Sequence, residues 1–228
     1  MKYSSLLYLG IFFMFSMIWA CGSGSSVDQE QVSEPTSELT KIEALRVQLS
    51  QALAQKNSWK SHWTSSLGNF DESDFQFVST DSIDPMEMPE SNPIKEGDPL
   101  FPYQFPHPEG NGTIDIYSYK VEAQETLDQP FLNPDSEVVW YRKDGMKERL
   151  LFMGPSGMFE DGVWLSPAEF LVFGFFQEED GFRPMAWVVD VENDLITQFK
   201  LQTLTKDYKS ESYLNAKLKS VDLKEDGI

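Results

Sequence analysis

The chain predicts a mainly β fold: two antiparallel sheets with an N-terminal amphipathic helix and a short C-terminal helix. Three observations carry that expectation. Apolar and aromatic residues alternate, or run in short stretches, from Thr113 to Leu201. Tight-turn signals such as Asp144-Gly145 and Asn193-Asp194 separate those stretches. Helical periodicity is confined to residues 37–55 ahead of them and about 210–220 behind.

In the first helix Leu39, Ile42, Leu45, Leu49 and Ala52/Leu53 recur at three- and four-residue spacing and form one apolar stripe. Thr36 and Ser37 are candidate N-caps, with Glu38 in the first turn. The stripe could dock on the main domain or seed a coiled-coil stalk. Two heptads are short for the stalk, so docking is the expectation. Trp59, His62 and Trp63 follow, and tryptophans four residues apart share a helix face. That face is either a stacking platform for a sugar ring or a pair of core anchors.

Residues 69–98 are a different material. Nine acids stand against Lys95 alone, with Pro85, Pro89 and Pro93, which predicts a disordered or extended segment. Pro99, Pro102, Pro106 and Pro108 then alternate with Phe101, Tyr103 and Phe105, excluding a helix and a central strand. An arm laid across the domain, or a proline-rich ligand for a partner, fits this stretch.

Strands are expected at 114–119, at 137–142 and 148–153 around Asp144-Gly145, at 162–165, at 170–176, and at 185–191 and 195–201 around Glu192-Asn193-Asp194. In the first of them Ile114, Ile116 and Ser118 would share one face, with Asp115, Tyr117 and Tyr119 on the other. Phe170 to Phe176 is apolar almost throughout, as a strand covered on both faces would be. Two stretches echo each other: Trp140 precedes Phe152, and Trp187 precedes Phe199, by the same interval across a turn. Glu122 to Pro134 reads as an insertion in the first copy. Trp164-Leu165-Ser166-Pro167 with Glu169-Phe170-Leu171-Val172 resembles the first two strands of a β-propeller blade. That resemblance spans residues 111–201, about two blades, fewer than a ring needs. The expected form is therefore two blade-like sheets, sandwich or partial-propeller-like. Tyr213, Leu214 and Leu218 mark the last helix, expected to cover a sheet edge.

At the other end, Lys2 precedes an apolar stretch from Leu6 to Met17, and Ile18-Trp19-Ala20 lead into Cys21, the single cysteine. A basic start, a short apolar core and a small residue at the cut describe a secretory signal. With cysteine directly after the cut, the segment resembles a bacterial lipoprotein signal. The resemblance implies that Cys21 becomes the first mature residue and carries lipid, palmitate included, through its sulfur and amine. Ordinary secretion with a free thiol and a retained anchor are the alternatives. Leu6 to Ala20 is shorter than the roughly 20 residues a span needs. Gly22-Ser23-Gly24-Ser25-Ser26 supplies slack after the anchor. The organisation expected is a signal peptide at 1–20, a lipid-anchored flexible linker at 21–36, a helical appendage at 37–68, an acidic proline-rich extended arm at 69–109, a β domain at 110–204 and a C-terminal helix and tail at 205–228.

The net charge is −19, and cleavage after Ala20 would remove one base and no acid. A field of that sign repels phosphate backbones and anionic headgroups, which excludes nucleic acid and leaves membrane attachment to the lipid. With no cysteine beyond Cys21, stability must come from a packed core.

Serine–histidine catalysis has only His62 and His107 to draw on, and Gly154-Pro155-Ser156-Gly157 lacks the G-x-S-x-G pattern. Paired histidines or cysteines for zinc are missing, as is a phosphate-binding glycine loop. No catalytic residue and no metal site are assigned, and no cofactor is expected. Calcium is the one cation the acids could attract, at Asp71-Glu72-Ser73-Asp74 or Glu178-Glu179-Asp180-Gly181, although neither has the regular binding loop. The functional expectation is a lipid-anchored cell-envelope protein, on the outer membrane, the cell surface or the periplasmic face. It would be a non-catalytic binding or assembly module whose partner is an envelope protein or a glycan. Trp59, Trp63, Tyr117 and Tyr119 are its candidate contact patch. The alternative is an envelope hydrolase acting on glycans through carboxylates, with Asp115 and either Asp161 or Glu169 as first candidates.

Overall fold

The computed structural model describes residues 35–122 and 131–221. The signal, Cys21, the linker up to residue 34, most of the Glu122–Pro134 insertion and the tail from residue 222 lie outside the described residues. Two helices open the described chain, α1 (Pro35–Gln55) and α2 (Asn57–Leu67). The strands follow in order: β1 (Phe75–Ser82), β2 (Met86–Pro89), β3 (Phe105–Pro106), β4 (Gly112–Asp115), β5 (Val121–Glu122), β6 (Phe131–Leu132), β7 (Ser136–Arg142), β8 (Met146–Met153), β9 (Gly157–Trp164), β10 (Glu169–Glu178), β11 (Gly181–Asp190) and β12 (Leu195–Leu201). A short helix, α3 (Ser212–Lys217), comes last.

The strands form two five-stranded antiparallel sheets with no closed barrel. The first has the order β1-β12-β11-β10-β9, the second β2-β8-β7-β4-β3, and β5 and β6 pair separately. Strands β9 to β12 are a simple meander, and β1 arrives from the far end of the sequence to pair with β12.

The first helix starts at Pro35, earlier than the caps expected at Thr36 and Ser37. Proline suits a first helical position because its missing N–H has no intrahelical acceptor there. Leu45, Leu49, Ala52 and Leu53 are buried, as the stripe predicts, and belong to one hydrophobic cluster with α2, the first sheet and α3. Lys56 breaks the helix with a non-helical backbone, and α2 ends at Gly68, whose φ of 77° returns its N–H to the Thr64 carbonyl. Trp59 stacks on Phe173 at 4.7 Å between ring centres, and Trp63 stacks on Tyr208 at 3.8 Å.

Residues 69–98 supply an edge strand to each sheet, β1 against β12 and β2 against β8. Their composition hid this, because an edge strand keeps its acids in water. Within these two strands Phe75 is the residue that goes inside, with Phe70 and Ile94 buried beside them. The predicted alternation along 114–119 also stops early. The Asp115 carboxylate accepts the backbone N–H groups of Tyr117 at 3.3 Å and Ser118 at 3.0 Å, so the chain turns out of the sheet after β4. Ile116 and Tyr117 are therefore both buried instead of pointing to opposite faces.

β10 is buried from Phe170 to Phe175, matching a strand covered on both faces. Its register with β9 slips once: Phe173 faces Asp161, but Gly174 faces Phe159. Glu160 is the extra residue of a β-bulge. Gly174 permits the bulge, since a Cβ there would overlap the Met158 carbonyl oxygen.

Candidate functional site

The bulge in β9 has a chemical result. Strand alternation would send Glu160 and Asp161 to opposite faces, yet both carboxylates contact the helical layer, and both are buried. Glu160 Oε2 accepts the indole N–H of Trp59 at 2.8 Å and of Trp63 at 2.9 Å. Its other oxygen accepts the Tyr208 hydroxyl, and its backbone carbonyl accepts Tyr117 Oη at 3.0 Å. Asp161 pairs with Lys56 Nζ at 3.0 Å and Lys217 Nζ at 2.6 Å, and accepts Tyr213 Oη at 2.5 Å.

The two carboxyls titrate in opposite directions. Burial pushes Glu160 up to about 7, against the opposing pull of its Tyr208, Trp63 and Trp59 donors. Burial would also raise Asp161, but the ammonium groups of Lys217 and Lys56 and the Tyr213 hydroxyl outweigh it and hold the carboxyl below its ordinary value. These side chains latch α2 and the C-terminal segment onto an edge strand. No open surface reaches either acid, so the arrangement is built for cohesion.

Three members of the expected contact patch therefore lie inside this latch: Trp59, Trp63 and Tyr117 are fully buried, with no ring face in solvent. They are core anchors, because their indole and phenol donors find acceptors only in the interior. Tyr119 lies elsewhere, 37% exposed and edge-on to Phe152 at 6.2 Å. The structure does not bring the four together as a surface.

The carboxylates considered for glycan hydrolysis are also dispersed. Asp161 is in the latch. Asp115 is buried and holds the turn after β4, and burial raises its carboxyl despite hydrogen bonds from Ser118 and Tyr117. Glu169 accepts Ser166 Oγ at 3.2 Å and Gln48 Nε2 at 3.4 Å beside the β9–β10 turn. His62 comes within 2.9 Å of Ser212 Oγ, but that hydroxyl donates to the Lys209 carbonyl at 2.6 Å. No carboxylate bonds the imidazole among the described residues, so the pair lacks the third member that orients a catalytic base.

Three of the six acids weighed for calcium are engaged by protein groups. Asp71 caps Ser73 at 2.9 Å, Glu72 accepts Lys60 at 2.5 Å and Ser50 at 2.6 Å, and Glu178 accepts Arg183 Nε at 2.5 Å. Among the described residues no group of three or more His, Cys, Asp or Glu side chains is placed to hold a metal ion.

An open site exists where three turns meet, in a cleft of about 480 Å³. The β3–β4 turn contributes Asn111, and the β7–β8 hairpin contributes Trp140, Arg142, Lys143, Asp144 and Glu148. The β11–β12 turn contributes Val191 and Asp194. The two turns of the sequence echo thus face one cleft. Each turn is fixed from behind. Lys143 N–H donates to the Asn111 carbonyl at 3.0 Å, Gly145 takes a φ of 90°, and Asp190 accepts Asn193 N–H at 3.1 Å. Arg142 is held by Glu87 at 3.1 Å and by Asp144 and Glu148. The hydrogen bond from Arg142 holds the Asp144 carboxyl below its ordinary value. Trp140 is backed by His107, stacked at 6.0 Å, and its buried Nε1 has no hydrogen-bond acceptor.

Residue chemistry alone did not mark this cleft. The matching turn intervals were the signal in the sequence, Asn111 stood out only as part of an Asn111-Gly112-Thr113 sequon, and Lys143 carried none. A scan against protein-family models gave no match, and searches of curated proteins and of solved structures gave none either.

Proposed function

We propose that the chain is a lipid-anchored protein of the cell envelope that works as a non-catalytic binding or assembly module. The observation that carries this reading is the division of its polar groups. Carboxyls with raised pKa values, the kind an acid catalyst needs, are the buried Glu160, Asp115 and Glu137. The open cleft instead presents Asp144, whose lowered pKa unfits it to protonate a leaving group. An acidic surface, a lipid signal ending at Cys21 and a preformed polar cleft suit a tethered binder.

No helix among the described residues is long and apolar enough to cross a membrane, so attachment in this reading falls to Cys21. Metabolic labelling with palmitate tests the anchor. Incorporation in wild type and its loss in Cys21→Ser supports it, and an unlabelled wild type refutes it. Incubation of the purified chain with a broad glycan panel tests the rest, because turnover of any member would restore the hydrolase reading. Protease treatment of intact and lysed cells then assigns the face, with degradation in intact cells indicating the surface.

A further inference from the structure

We infer that the cleft between the three turns binds one unit of a neutral sugar chain. The inference rests on the binding-module reading and gives it a site and a ligand class.

Each turn offers one polar side chain with no protein partner. Asn111, Lys143 and Asp194 make no side-chain hydrogen bond or ion pair among the described residues, and each comes from a different turn. Together they offer an amide that donates and accepts, an ammonium that donates and a carboxylate that accepts. Hydroxyl groups both donate and accept, so a polyhydroxylated ring can satisfy all three, whereas a ligand of one polarity cannot. Trp140 also lines the cleft, with His107 stacked on its ring and the Arg142 guanidinium over it. The C–H face of a sugar is complementary to the negative face of an aromatic ring.

Charge narrows the choice further. Arg142, the group best shaped for phosphate or carboxylate, is already engaged by Glu87, Asp144 and Glu148. The net charge of −19 disfavours any polyanion. The hydrogen bonds behind the turns hold their backbones in place before binding, which reduces the entropy lost on association. The cleft also lies within the volume range of small-ligand sites.

The test is titration calorimetry of the full chain in detergent with chito-, malto- and xylo-oligosaccharides, and with neutral dipeptides as zwitterionic competitors. Trp140→Phe keeps a ring but narrows the aromatic surface that lines the cleft. Asp194→Gly removes the carboxylate and suits a residue whose φ is 53°. The expected result is binding of at least one oligosaccharide series, weakened about three- to tenfold by each variant with an unchanged melting temperature. Three results would overturn the assignment: no oligosaccharide bound by wild type, affinities unmoved by both variants, or displacement of sugar by dipeptide. Hydrolysis of a bound sugar would refute the non-catalytic reading while leaving the cleft as the sugar site.

Discussion

Glu160 and Asp161 are neighbours in one β-strand, yet both side chains enter the same helical layer of the molecule. The bulge that allows this gives one carboxylate two indoles and a phenol, and the other two ammonium groups and a phenol. Helix α2, the edge strand β9 and the segment carrying α3 are joined through two adjacent residues.

Glu160 makes stability depend on pH. In the unfolded chain it titrates near 4.5, and in the fold burial raises it to about 7. Between those values the folded state keeps a proton that the unfolded state has released. Stability from this group is complete below pH 4.5 and falls as pH rises toward 7, by up to about 1.4 kcal/mol per pH unit. Urea unfolding from pH 4.5 to 8 should show a steeper decline for wild type than for Glu160→Gln. Parallel curves would disprove the linkage.

Asp161 has the opposite sign. Its folded pKa lies below the ordinary 3.8, so its stabilisation is present above 3.8 and is lost as pH falls through the folded value. Asp161→Asn would leave Lys56 and Lys217 without their buried counter-charge and is expected to cost about 3–5 kcal/mol at pH 7. Thermal melts at pH 7 check the magnitude, and a loss under 1 kcal/mol would mean that the lysines find other partners.

Gly174→Ala should destabilise the fold by about 3 kcal/mol or more, because the new methyl group meets the Met158 backbone at the bulge. If the variant melts like wild type, the slip in register between β9 and β10 is absent in solution.

Aromatic substitutions separate the core from the surface. Trp59→Ala is expected to cost about 3–5 kcal/mol, since the indole is fully buried, stacked on Phe173 and bonded to Glu160. Tyr119→Ser should stay within about 0.5 kcal/mol of wild type. Chemical denaturation of both variants decides this, and equal losses would place Tyr119 in the core as well.

The class of fold was legible in the sequence because turn signals and short apolar runs are local. The β7–β8 and β11–β12 hairpins and the buried β10 followed directly from Asp144-Gly145, Asn193-Asp194 and Phe170–Phe176. The strands at 75–82 and 86–89 were not legible, because pairing at a sheet edge needs no apolar alternation. The paired acids were hidden by the same rule that finds strands. A period of two sends Glu160 and Asp161 to opposite faces, and only the bulge opposite Gly174 reverses that. The cleft assembles residues from three distant turns. Its members are ordinary surface types, so only the repeated interval around two of those turns hinted at it.

The pairing of β1 with β12 bears on the timing of folding. Thr80 and Thr197, whose hydroxyls meet at 3.0 Å across that pair, are 117 positions apart. During synthesis the first strand leaves the ribosome long before its partner exists, and the latch around Glu160 waits for Tyr208. The first sheet can close only after nearly all the chain has been made, which favours slow folding over co-translational folding. On the proposed export route, that delay would keep the chain passable until it reached the far side of a membrane.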